Sequence, residues 1–332
     1  MQVPLSLLDL VPIPRGGTAS EALATSVELA RTAERCGYKR VWYAEHHNMA
    51  TIASSATSVL IAHVAAHTST IRLGSGGVML PNHSPLTIAE QFGTLESLHP
   101  GRIDLGLGRA PGSDRNTMRA LRRSPASADA FPEDVLELQG YLRGQSRIAG
   151  VEATPGKGTD VPLYILGSSL FGARLAALLG LPYAFASHFA PAALTEAVAL
   201  YRREFRPSTD LDEPFVIAGV NVVAADSDEE ADAQFRQATR WRIRSILAPG
   251  RHLSDEETDS LVDSPAGRHV AGMLTYSAVG TPSRVGEYLT GFAAHASADE
   301  LIVAHQSPSA EGRLRSAELT AKAASLTGAP AG

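Results

Sequence analysis

The stretch VWYAEHHN, residues 41–48, ends an apolar run in one carboxylic acid and two imidazoles: Glu45, His46 and His47. Imidazole titrates near neutral pH, and a neighbouring carboxylate can orient it, so this pairing suits proton transfer to or from a ligand. Comparable groups recur beyond other apolar runs. Gly76-Gly77 interrupts the strand pattern IRLGSGGV, where a bulge or a close backbone approach is expected. Arg109 follows RIDLGLG, and its guanidinium could grip a phosphate with two donors. Gly167, Ser168 and Ser169 precede a helical pattern, where serine can cap the helix and backbone amides can bind an anion. Ser187, His188 and Phe189 follow a short run, His305 ends the last one, and Asp9, Arg15 and Asp226 follow others.

These groups act together only if distant elements converge. Strand patterns fall at 4–9, 40–44, 71–78, 102–107, 162–166, 183–186, 215–225 and 300–305. A helical pattern follows each: one from the capping-box pair Thr18 and Glu21 to Gly37, one over 54–68, one from Pro85 to Leu98, and others near 132–143, 169–180, 191–205, 228–247 and 311–326. Strict alternation predicts a parallel sheet. Eight units in 332 residues predict a (β/α)8 TIM barrel, in one domain over 1–332, with a polar insertion at 248–276. The alternative is a doubly wound open sheet split into 1–190 and 191–332, but no Pro/Gly/Ser-rich linker divides those halves. In a barrel, all the strand ends above meet on one rim.

Composition narrows the function classes. Hydrophobic residues make up 44% and charged residues 19%, as in ordinary globular proteins. The net charge of −6 with no long basic run argues against nucleic acid or an anionic membrane as the main partner. No apolar stretch reaches the ~18 residues of a membrane span, and no signal peptide is evident, so the expected location is cytoplasmic. The lone Cys36 precludes an internal disulfide and reads as a small packed residue. Only Lys39, Lys157 and Lys322 are lysines among 29 basic residues, which with the abundant alanine points to a GC-rich bacterial genome.

The segments AEHH, LGSGGVMLPNHSP, GRIDLGLGR and VGTP, in that order along nearly the whole chain, resemble the bacterial luciferase-like flavin monooxygenases, and in particular their single-chain members. The resemblance implies a TIM barrel, reduced FMN, molecular oxygen, a homodimer and a separate NAD(P)H:flavin reductase. It puts His46 at the catalytic position, managing protons while a flavin C4a-hydroperoxide forms, with Glu45 holding the flavin or orienting the imidazole. It implies Gly76-Gly77 against the flavin ring, often through a non-proline cis peptide. Arg109, Gly167, Ser168 and Ser169 would serve the phosphate, with Arg115, Arg119, Arg122 and Arg123 competing for a second phosphate contact. His47, His188 and Phe189 would line the substrate pocket. The light-emitting subunit has a reactive cysteine where Gly108 stands here, so Gly108 would open space near the flavin. Residues 248–276 read equally as a disordered surface insertion or as a lid excluding water.

The resulting expectation is hydroxylation, epoxidation or Baeyer–Villiger insertion on a small organic substrate, such as an aromatic polyketide in antibiotic biosynthesis. The alternatives are an oxidoreductase using the deazaflavin coenzyme F420, a non-catalytic flavin-binding protein and, more distantly, a metal-dependent hydrolase. No metal site is expected: His63 and His67 are spaced i, i+4 but lack the glutamate of a zinc-protease helix. GLGRAPG, residues 106–112, is GxGxxxG without the acidic partner of a dinucleotide site.

Overall fold

A computed structural model describes residues 3–110 and 114–326. Its strands are β1 (Leu5–Asp9), β2 (Arg40–Tyr43), β3 (Arg72–Met79), β4 (Ile103–Gly108), β5 (Leu163–Gly167), β6 (Tyr183–Phe185), β7 (Val216–Ala224), β8 (Ser277–Gly280) and β9 (Glu300–His305). The helices are α1 (Ala19–Cys36), α2 (Thr57–Ala65), α3 (Pro85–Leu98), α4 (Arg115–Ala120), α5 (Phe131–Leu142), α6 (Leu170–Leu179), α7 (Leu194–Glu204), α8 (Asp228–Leu247), α9 (Asp255–Val262), α10 (Pro265–Gly272), α11 (Pro282–His295) and α12 (Ala310–Ala323).

All strand pairs in the sheet are parallel, and β6 pairs with β7 to close the ring β1-β2-β3-β4-β5-β6-β7-β9. This is the eight-stranded barrel that the alternation predicts. A ninth strand, β8, departs from that count. It pairs only with Asn221–Ala224, the end of β7 that projects past β6. Four residues carry too little periodicity to register as a strand in sequence.

Local sequence explains the helix boundaries. Thr18 and Glu21 close a reciprocal capping box at the start of α1, and Gly37 ends it at φ 84°, a left-handed conformation suited to glycine. Pro85 opens α3 behind a Ser84 cap. The predicted insertion is not irregular. It folds into α9 and α10, and α9 is tied to α8 by Arg240 with Asp255 and Asp259, and by Arg244 with Asp255. Of residues 248–276, only Met273 reaches the cavity described below.

The two ends of the barrel interior differ. At the N-terminal ends of the strands a buried ion cluster fills it. Arg40 donates to Asp104 at 2.8 Å, Tyr164 at 2.7 Å and Glu300 at 3.1 Å. Asp104 also receives Arg72 and Trp42 Nε1, and Glu300 receives Ser6 Oγ and pairs with Lys39. Asp104 and Glu300 are fully buried, so each needs these partners to offset its desolvation. At the C-terminal ends the interior is open.

Candidate functional site

A cavity of about 710 Å³ occupies the C-terminal mouth, within the size range of small-molecule sites. It brings together Glu45, His46, Gly76, Gly77, Arg109, Gly167, Ser168, Ser169, His188, Phe189 and His305. Asp9 joins them; Arg15 and Asp226 do not, and Asp226 pairs with Arg315 elsewhere.

His46 leaves the end of β2 with its backbone N–H bonded to Ser54 O at 2.9 Å. Its Nδ1 is buried without a partner among the described residues, and burial holds its pKa below the usual histidine value, against the pull of Glu45. The imidazole is therefore neutral at neutral pH, ready to accept a proton. Glu45 does not orient it. The Glu45 carboxylate instead receives His47 Nε2 at 2.8 Å, His83 Nε2 at 2.9 Å, Asn82 Nδ2 at 3.2 Å and the Met79 N–H at 3.0 Å. Burial raises its pKa, but these bonds outweigh that and leave it below the usual value. Glu45 thus ties the end of β2 to the loop after β3. His47, read either as pocket wall or as a residue behind it, is a partner of Glu45 and does not line the cavity. His83 lies within the quoted LGSGGVMLPNHSP, yet only the fold reveals it as a partner of Glu45.

The Gly76-Gly77 peptide is cis, and the register of β3 against β4 shifts between Ser75 and Val78. Both glycines line the cavity, but protein atoms alone require them. A Cβ on Gly76 would come within 2.9 Å of Leu8 and Trp42, and one on Gly77 within 2.8 Å of Gly106 O. Gly108 differs from expectation: a Cβ there would meet the Met79 thioether at 2.9 Å, so methionine occupies the space that glycine leaves.

Arg109, at the end of β4, places its guanidinium 4.0 Å from the Phe171 ring centroid in the first turn of α6. It donates to Ala128 O at 3.2 Å, and its nearest carboxylate, Asp129, is 3.8 Å away. Ser169 is the N-cap residue of α6, yet its side chain caps nothing. The first-turn amides of α6 therefore lack a side-chain acceptor beside a cation, a combination suited to a phosphate. None of Arg115, Arg119, Arg122 and Arg123 lines the cavity; Arg123 donates to Asn82 O.

Residues 4–299 match the profile of luciferase-like monooxygenases. The chain belongs to that family. It is 48% identical to the luciferase-like monooxygenase of Escherichia coli strain K12, over 96% of each chain. It is 36% identical to the N-acetyl-S-alkylcysteine monooxygenase of Bacillus subtilis strain 168, over 86% of this chain and 87% of that one. The crystal structure of apo-MsnO8, 37% identical, superposes with a TM-score of 0.89 over 98% of this chain and 100% of that one.

In this family member the remaining histidines named above differ in burial. His188 is 8% exposed, and burial, with Arg242 and His46 nearby, pushes its pKa down to about 3. Phe189 packs edge-on against it. His305 is also pushed down to about 3, by burial and by Arg313; its Nδ1 is 2.8 Å from Ser316 Oγ. His63 and His67 lie at the exposed end of α2 and face each other 4.5 Å apart. In residues 106–108, the glycine pattern belongs to β4: a Cβ on Gly106 would fall 2.2 Å from Ser75 O. Pro111 and Gly112 lie outside the described residues.

Sequence reasoning missed Trp241, Arg242 and Arg313, which also line the cavity. A signal exists in TRWRIR, residues 239–244. Arg240 and Arg244 share one helix face, so the arginine between them must project elsewhere.

Proposed function

We propose that this family member is the oxygenating component of a two-component monooxygenase using reduced FMN. One observation carries the reading: Arg109, stacked by the uncapped start of α6, opens onto the same cavity as the partnerless imidazole of His46. The residues fit the cofactor. Arg109 and the amides of α6, with Ser168 and Ser169, would hold its phosphate. Gly76 and Gly77 offer the cavity bare backbone, which suits a planar ring. Bound reduced flavin would supply the activation of molecular oxygen, one atom entering the substrate and the other leaving as water. His46 then takes or returns the proton, favoured as an acceptor by its lowered pKa. Glu45 fixes the loops on either side, and the apolar walls exclude water.

The substrate in this reading is a small organic molecule, hydroxylated or epoxidised. An aromatic polyketide of antibiotic biosynthesis is one class; the Bacillus relative's name brings in thioethers as another. Reduced flavin would come from a separate NAD(P)H:flavin reductase, and the working form would be a cytoplasmic homodimer.

Anaerobic titration with reduced FMN and with reduced coenzyme F420 tests the cofactor. FMN should bind the more tightly, and Arg109→Ala should weaken it by about 10- to 100-fold, the worth of a charged hydrogen bond. Tighter F420 binding would turn the reading to a deazaflavin oxidoreductase. His46→Ala should keep FMN affinity but lose incorporation of isotopically labelled oxygen; unchanged turnover would remove the catalytic role.

A further inference from the structure

The cavity has a second cationic side, away from Arg109. Arg242 on α8 stands near His188, beyond β6, and Arg313 in the first turn of α12 stands near His305 and Pro12, beyond β9 and β1. In the ring, β6 and β7 separate β5 from β9. Arg313 therefore belongs to a different part of the rim from the start of α6, whereas Arg242 stands by the end of β6, next to β5.

Arg242 has no hydrogen-bond or ion-pair partner among the described residues. Its helix neighbours do not share that condition, since Arg240 and Arg244 are both paired with acids of α9. Arg313 is 4% exposed, and its one hydrogen bond is to Pro12 O at 3.4 Å. No carboxylate pairs with it among the described residues, and its Nε has no partner. The first turn of a helix is also an unfavourable place for a cation.

Of the acids lining the cavity, Asp9 lies close enough to Arg313 to act on its charge, and none is paired with Arg242 among the described residues. Asp9 accepts the Val11 N–H at 2.8 Å and Ser26 Oγ at 2.7 Å. Glu45 is committed to four donors. The α8 residues that line the cavity with Arg242 are Trp241, Ser245 and Ile246, none of which carries a charge. His305 adds a buried ring nitrogen, Nε2, with no partner among the described residues; its Nδ1 is 2.8 Å from Ser316 Oγ, which also accepts the Ala224 N–H at 2.9 Å. A desolvated cation without a counterion is costly, and a ligand anion would offset that cost.

We propose that Arg242 recognises a carboxylate on the substrate, so that the enzyme acts on small apolar organic acids rather than on neutral molecules. This rests on the monooxygenase reading, in which the Arg109 side is given to the flavin phosphate and the Arg242 side remains for substrate. The acid anchors one end in the cavity, and the apolar remainder is what the oxygen reaches.

The test uses matched pairs that differ in one charge: naphthoate with naphthamide, and N-acetyl-S-benzylcysteine with its primary amide. Calorimetric binding to the full-length protein without flavin separates this test from the cofactor assignment, which the FMN and F420 titrations decide. At least one acid should bind about tenfold or more tightly than its amide, as a charge-assisted contact requires. Arg242→Gln should abolish that preference, leaving amide binding and reduced-FMN affinity within about twofold, and Arg242→Lys should restore part of it. Arg109→Gln should leave the preference intact. The proposal is overturned if neither acid is preferred, if the preference survives Arg242→Gln, or if Arg109→Gln removes it.

Discussion

Mild acid should destabilise this protein well before its carboxylates protonate, because two buried histidines must stay neutral for it to fold. His188 and His305 carry pKa values pushed down to about 3 from an ordinary 6.5. The unfolded chain takes up a proton at each as pH falls through the ordinary value, and the folded chain does not until about 3. Their stabilisation is thus fully present above the ordinary value and is lost as pH falls from there toward the folded value. Integrating the difference gives about 2 kcal/mol per histidine between about pH 7 and about pH 5, so ~4 kcal/mol together. That is a large part of a typical stability of about 5–15 kcal/mol. Glu45 has a lowered pKa, so its stabilisation is lost only at lower pH and leaves this window clear, whereas His46, also lowered by burial, adds a smaller loss in the same direction. Urea unfolding at several pH values would give the midpoint and slope. The paired variant His188→Gln with His305→Gln should flatten most of the dependence. A wild-type midpoint unchanged across the window, or a full dependence retained in the paired variant, would refute this account of both imidazoles.

Two further outcomes follow from packing. Asp104→Asn should cost about 3–5 kcal/mol in urea unfolding, because Arg40 and Arg72 lose the carboxylate that compensates them in the closed end of the barrel; a loss below about 1 kcal/mol would mean that Glu300 suffices. Gly77→Ala should cost about 1–3 kcal/mol, since its Cβ would press on backbone at Gly106, whereas Gly108→Ala meets only the mobile end of Met79 and should cost under about 1 kcal/mol. Equal losses in thermal unfolding would contradict this distinction.

The barrel was legible because its signals are local. An α1 capped by Thr18 and stopped at Gly37, a Pro85 start to α3, and largely apolar, fully buried runs such as β7 each follow from neighbouring residues. With eight such alternations, parallel closure puts the strand ends on one rim, and Arg109, His46 and His188 could be expected together without knowing any distance. The exceptions were short or partner-dependent. β8 exists because β7 outlasts β6, and α9 is held by arginines of α8.

Sequence by itself therefore determined the order of elements and which residue types reach the mouth, because helix caps, glycine stops and apolar periodicity act over a few neighbours. The tertiary structure decided the pairings. It gave Glu45 to His47 and His83 rather than to His46, filled the space at Gly108 with Met79, and left Arg242 facing the cavity without a counterion among the described residues. Hydrogen bonds, steric contacts and charge compensation depend on distances of a few ångströms between residues far apart in the chain, and only folding sets those distances.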